Sequence, residues 1–146
     1  MKRVFLDTRS NLFACHSKNI LIDYIQARAG GDDAKQLLMR GRDGEVSLYA
    51  SFLTFANMAY ILNGKADIYE LFAMLTGFIT VLPMDGDQLQ AALSQRAKDF
   101  EDMLQYQCAK VAGCDTIITG NKRHFTEFCD LPLMTTSEFL TELAPM

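Results

Sequence analysis

Short continuous apolar runs alternate along this chain with stretches in which apolar residues recur every three or four positions. Val4-Phe5-Leu6, Val46 to Ala50, Phe78 to Leu82, Thr116 to Thr119 and residues 132–134 are the short runs. Each is bounded by turn residues, as in strands buried on both faces. Between them the spacing predicts helices. Leu21, Tyr24, Ile25 and the aliphatic stem of Arg28 share one face, and Gly30-Gly31 ends that helix. Asp32 or Asp33 caps a second, which runs through Leu37 and Leu38 to about Gly41. Leu53, Ala56, Tyr60 and Ile61 mark a third, broken by Asn63-Gly64. Further helices are expected from Ala66 to Thr76, from Asp85 or Asp87 to Arg96, and from Lys98 to Ala112. Thr135-Thr136-Ser137-Glu138 has the capping-box pattern that opens a last one.

Strands alternating with helices predict an α/β fold, with a mostly parallel sheet covered on both faces. Right-handed crossovers leave few topologies. With the first strand central and later strands added on one side and then the other, the order 3-2-1-4-5 opens a crevice between strands one and four. Asp7 and Thr119-Gly120-Asn121 would flank it.

Length and composition narrow the class. At 146 residues the chain suits one domain, 1–146, with 49% hydrophobic and 22% charged residues and no fixed-period repeat. A net charge of −4 argues against an indiscriminate, electrostatically driven nucleic-acid binder. A local basic rim from Lys2, Arg3, Arg9, Lys18, Lys110, Lys122 and Arg123 is compatible with it. Four cysteines without C-x-x-C spacing encode neither a zinc finger nor a thioredoxin-like site, so reduced thiols are expected, with Cys108 as a core residue. Only a short strand separates Met1-Lys2-Arg3 from Asp7, which leaves no signal-peptide core. The most apolar stretches, 48–62 and 71–84, fall short of the roughly 18 residues that a membrane span needs. The expected location is cytoplasmic, away from membranes.

Asp7 is the leading candidate for chemistry, because a carboxylate straight after three large apolar residues must emerge at the strand tip. Asp99 and Asp102, three apart on the expected helix, share a face, while Glu101 points elsewhere. A bound cation would relieve their repulsion; a solvated helix start stabilised by the dipole is the plainer reading. Asn57 interrupts an apolar helix and needs a partner, whether Asp7, water on a cation or a backbone carbonyl. Thr119 and Asn121 lie at the end of strand four, where Asn offers an oxygen to a hard cation or an N–H to phosphate. His16 and His124 are candidate acids or bases, more simply surface or structural histidines.

The segments LDT, LTFANMAYIL, KDFEDMLQYQCAKVAGCDTIIT, GNKRHF and LMTTSEFL, in this order, resemble the PIN-domain family, and its bacterial VapC-like branch in particular. The resemblance spans nearly the whole chain. It implies a three-layer α/β/α sandwich with sheet order 3-2-1-4-5 and a ribonuclease dependent on Mg²⁺ or Mn²⁺. Such proteins are often homodimeric toxins paired with an antitoxin. On this resemblance Asp7, Asn57, Asp102 and Asn121 occupy the acidic-quartet positions with Asp99 as an added acid, and Asp7, Asp99, Asp102 and Asn121 hold the metal. Thr119, Lys122, Arg123 and Arg9 would meet RNA.

Three departures stand out. Residues 9–18 look like an insertion that separates Asp7-Thr8 from Asn19. Asn57 stands where many relatives have Glu, and His124 where Asp is frequent. A catalytically weakened or inactive PIN-like binding protein is therefore the alternative to the nuclease. A phosphatase or receiver-like protein using Asp7 as phospho-acceptor is disfavoured, since no second aspartate follows two residues on.

Overall fold

The structure, a computed structural model, describes residues 1–7, 31–64 and 67–143. The expected helix from Asn19, the 9–18 insertion, Arg9 and His16 lie outside the described residues. Five parallel strands form one sheet: β1 (Arg3–Leu6), β2 (Ser47–Ser51), β3 (Ile79–Leu82), β4 (Thr116–Ile118) and β5 (Leu133–Met134). Their order is β3-β2-β1-β4-β5, as the family resemblance implies. The helices are α1 (Gly31–Arg42), α2 (Phe52–Ile61), α3 (Ile68–Leu75), α4 (Gly86–Gln95), α5 (Phe100–Val111) and α6 (Thr136–Glu142).

The alternation of β1 side chains builds the layers. Val4 and Leu6 point to one face, where they pack with Leu37 and Leu38 of α1, Phe55 and Met58 of α2, Leu75 of α3 and Phe139 of α6. Phe5 points to the other and meets Ala92 of α4, Met103, Tyr106 and Ala109 of α5, and Phe125. Ile118 and Ile117 of β4 divide in the same way. The result is an α/β/α sandwich with Val4, Phe5 and Leu6 of β1 fully buried at its centre.

Local signals set most of the boundaries. Asp85 and Gln88 close a capping box on α4, and Thr135 and Glu138 close another on α6. Ser51 caps α2 and Asp67 caps α3, so the latter begins after the Ala66 expected from the pattern. Gly31 is the first residue of α1, and the helix expected to end at Gly30-Gly31 lies outside the described residues. Gly41 lies within α1, where Leu48 of β2 leaves no room for a side chain.

Arg3 orients α5. Its guanidinium donates to the carbonyls of Ala112 and Gly113 at the end of that helix, while its backbone N–H donates to Asp115. The C-terminus of α5 is thus tied to the start of β1. A helix of 12 residues spans about 18 Å, which carries its N-terminus toward the opposite end of the sheet, where Asp7 emerges.

Candidate metal centre

Asp7 follows β1 directly and is almost fully buried. Its backbone N–H donates to Ile118 O at 2.8 Å, which extends the β1–β4 ladder to the strand tip. One carboxylate oxygen, Oδ2, accepts from the Thr119 hydroxyl at 2.7 Å. Thr119 has no exposed surface, and its Oγ1 also accepts from the Asn121 N–H at 3.0 Å. The side chain expected to meet RNA therefore orients Asp7 from inside the protein.

Asp102 comes from the first turn of α5. The expected helix from Lys98 is corrected: it begins at Phe100, and Asp99 is its N-cap, accepting from Asp102 N–H through Oδ1 at 3.0 Å. An aspartate at this place satisfies a donor that the helix leaves free. Asp99 and Asp102 are thus a cap and the residue it caps, and not two positions of one helical face. Asp102 is fully buried, and its Oδ2 lies 2.9 Å from His124 Nδ1. A buried carboxylate requires such a partner.

His124 closes a short 3₁₀ turn, Lys122–His124, that follows Asn121. Its Nε2 lies 2.9 Å from Asn121 Nδ2. With the proton on Nδ1, the imidazole donates to Asp102 and accepts from Asn121. A continuous set of contacts therefore runs from Asp7 through Thr119, Asn121 and His124 to Asp102 and Asp99. Among the described residues, Asp99, Asp102 and His124 place one potential ligand atom each within 4.8 Å of one another. Asp7 stands outside that group of three and joins it through Thr119 and Asn121.

The structure gives Asn57 a different partner from those expected. Its Nδ2 donates to Glu101 Oε1 at 2.7 Å, so the carboxamide braces α2 against α5. Three residues earlier on α2, the Thr54 hydroxyl accepts from Gln105 Nε2 at 3.3 Å, a second brace between the same helices. Sequence spacing alone did not single out Thr54, Glu101 or Gln105 for this role. The signal for the inner pair is a polar residue at each helix's buried edge. Lys122 is bound to Glu138 of α6 at 2.5 Å, whereas Arg123 is exposed beside it.

The donor set suits a divalent cation. Asp99 and Asp102 supply anionic oxygens and His124 a neutral nitrogen, a combination typical of divalent-metal sites. The 2.9 Å between His124 Nδ1 and Asp102 Oδ2 also matches two neighbouring ligands at right angles, since bonds of roughly 2.1 Å place such atoms about 3.0 Å apart.

The family model described as PIN domain matches residues 18–123. The chain belongs to the PIN-domain family. Among solved structures, this PIN domain is similar to VapBC-1 from nontypeable Haemophilus influenzae. The TM-score is 0.62 at 18% identity, covering 92% of this chain and 98% of that one. It is also similar to VapC20 of Mycobacterium tuberculosis, a sarcin–ricin-loop-cleaving toxin. There the TM-score is 0.61 at 14% identity, with 86% and 95% covered. Likeness at these identities establishes the fold. No curated protein sequence matches the chain.

Proposed function

We propose that this PIN domain is a divalent-metal-dependent ribonuclease and the toxin of a toxin–antitoxin pair. The observation that carries the reading is the unbroken set of contacts linking Asp7 to the Asp99–Asp102–His124 group at the strand tips. Open α/β sheets bind their ligands at this edge, beside the point where strand order reverses. The likeness to VapBC-1 and VapC20 supports the toxin assignment.

A divalent cation held there would supply the Lewis acidity that promotes attack of water on a phosphodiester and offsets charge on the phosphate. The protein's part is to keep two buried carboxylates fixed. Thr119 holds Asp7, and His124 together with the Asp99 cap holds Asp102. The Asn57–Glu101 and Thr54–Gln105 pairs fix α5 against α2, so the first turn of α5 keeps its position. Arg123, which is exposed, would meet the RNA backbone. The ammonium of Lys122 is committed to Glu138, which makes Arg123 the stronger phosphate contact of the two.

Partner binding has a candidate surface as well. Phe52 and Tyr60 on α2 and Tyr69 on α3 are 67%, 73% and 84% exposed, more than a solvated surface requires of aromatic residues. We assign these exposed aromatic residues to protein contacts, with an antitoxin or with a second copy in a homodimer. Among the described residues, no helix is long and apolar enough to cross a membrane. In this reading residues 1–146 form one domain, with 9–18 an insertion in the sequence after Asp7-Thr8.

The test is divalent-dependent cleavage of RNA by the purified full chain. Asp7→Asn and Asp102→Asn are expected to abolish it while thermal unfolding remains cooperative. Chelation should remove activity and added cation restore it. Full cleavage in both variants would overturn the reading. Cation binding without cleavage of any RNA would favour the non-catalytic binding protein.

A further inference from the structure

The imidazole of His124 changes which cation the centre should take. An all-carboxylate site suits small hard ions such as Mg²⁺, which prefers oxygen ligands in near-ideal octahedral geometry. A nitrogen ligand shifts the preference toward first-row transition ions. We infer that His124 Nδ1 is a direct metal ligand beside Asp102 and Asp99, and that the centre selects Mn²⁺ or a similar transition ion over Mg²⁺. This inference rests on the metal-dependent reading above and specifies its ion.

Three observations carry it. The ring nitrogen lies 2.9 Å from Asp102 Oδ2, a hydrogen-bond distance that also fits two adjacent ligands of one ion. Asp99 joins the same group, with its ligand atom within 4.8 Å of the other two. The opposite ring nitrogen, Nε2, is 2.9 Å from the Asn121 carboxamide. A histidine that binds metal through one nitrogen carries its proton on the other, which donates to a fixed acceptor.

Asn121 supplies that acceptor when its carboxamide turns over. Without metal, Nδ1 carries the proton and Nε2 accepts from Nδ2. With metal, Nδ1 gives its lone pair to the ion, the proton resides on Nε2, and Asn121 presents Oδ1 to it. The ring proton moves from Nδ1 to Nε2, so the exchange balances without a further acid or base. Asn121 is then a positioning residue that aims the imidazole, and not the ligand that the family resemblance implies.

The experiment uses the untagged full chain stripped of metal and loaded with Mn²⁺ alone. Electron spin-echo modulation of the bound Mn²⁺ is expected to show coupling to an imidazole ¹⁴N. His16→Gln, which changes the chain's other histidine, should retain the coupling. His124→Asp should lose the coupling while still binding cation. It should also narrow the Mg²⁺-to-Mn²⁺ ratio of dissociation constants in calorimetric titration by about tenfold or more. Asn121→Ala should weaken Mn²⁺ binding by about tenfold or more, and Asn121→Asp, which keeps an acceptor, should not.

Bound Mn²⁺ without nitrogen coupling in the wild-type chain would overturn the inference, as would an unchanged ratio in His124→Asp. Failure of the nuclease reading looks different. Nitrogen coupling in a protein that cleaves no RNA would retain the imidazole ligand and reject the ribonuclease. Cleavage with Mn²⁺ that shows no coupling would do the reverse.

Discussion

The Thr119 hydroxyl donates to Asp7 Oδ2 at 2.7 Å across the β1–β4 pair, although 112 positions separate the two residues. The contact exists because Leu6 pairs with Ile118, which brings the residues after each strand to the same edge of the sheet. Thr119→Val keeps the shape and removes the donor. It should cost about 1–3 kcal/mol in denaturant unfolding, the usual penalty for depriving a buried polar group of a partner. Under the proposed function RNA cleavage should fall as well, because Asp7 loses its orientation. Unchanged stability would show that the carboxylate does not depend on Thr119.

Gly41→Ala sets two effects against each other. Alanine favours a helix interior over glycine by about 1 kcal/mol. A Cβ at Gly41 would, however, run into Leu48 Cδ1 and Cγ, and Leu48 is buried in β2 with little room to move. Overpacking of this kind costs about 1–3 kcal/mol, so the substitution should be neutral to destabilising by up to about 2 kcal/mol. Combining it with Leu48→Ala should show favourable coupling in a double-mutant cycle, because the second change removes the clash.

Glu138 gives the pH response a defined sign. Hydrogen bonds from Lys122 and then from the Thr135 backbone hold its carboxyl down at about 2. A lowered folded-state pKa adds stability above the ordinary carboxylate value of about 4.5, and that stability is lost as pH falls through about 2. Glu138→Gln should therefore flatten the acid limb of the unfolding midpoint between those values. Because the carboxylate is exposed, high salt should shrink the effect in the wild-type chain. An acid limb identical in the two proteins would assign the response elsewhere.

Cys108 and Cys114 should resist alkylation in the folded protein. Burial pushes the Cys108 thiol up to about 12, with the Cys114 charge adding to the rise, and burial pushes Cys114 up to about 11. Thiolate is the reactive form, so at pH 8 both should react with iodoacetamide far more slowly than in denaturant. Mass spectrometry at the two sites reads this directly. Rapid native modification at either one would show that its segment opens locally.

Phe5→Ala should be among the most damaging core changes. Phe5 is fully buried in the central strand and fills the layer between β1 and α5. Its loss is expected to cost about 3–5 kcal/mol by chemical denaturation.

The sequence by itself determined the layers and the strand-tip position of Asp7. Those features follow from apolar periodicity and from local capping, which act within a few residues and leave their mark wherever they occur. The capping box at Thr135–Glu138 and the buried run Val4-Phe5-Leu6 were legible for that reason. What only the tertiary structure decided were the partners. Asn57 pairs with Glu101, His124 with Asp102, and Lys122 with Glu138, each across elements that meet only when the crossovers are complete. Periodicity could put Asp99 near Asp102, yet whether Asp99 lies on the helical face or caps it depends on where the backbone turns into α5. Side-chain direction at the end of an element is set by the fold around it, and neighbouring residues in the chain do not encode it.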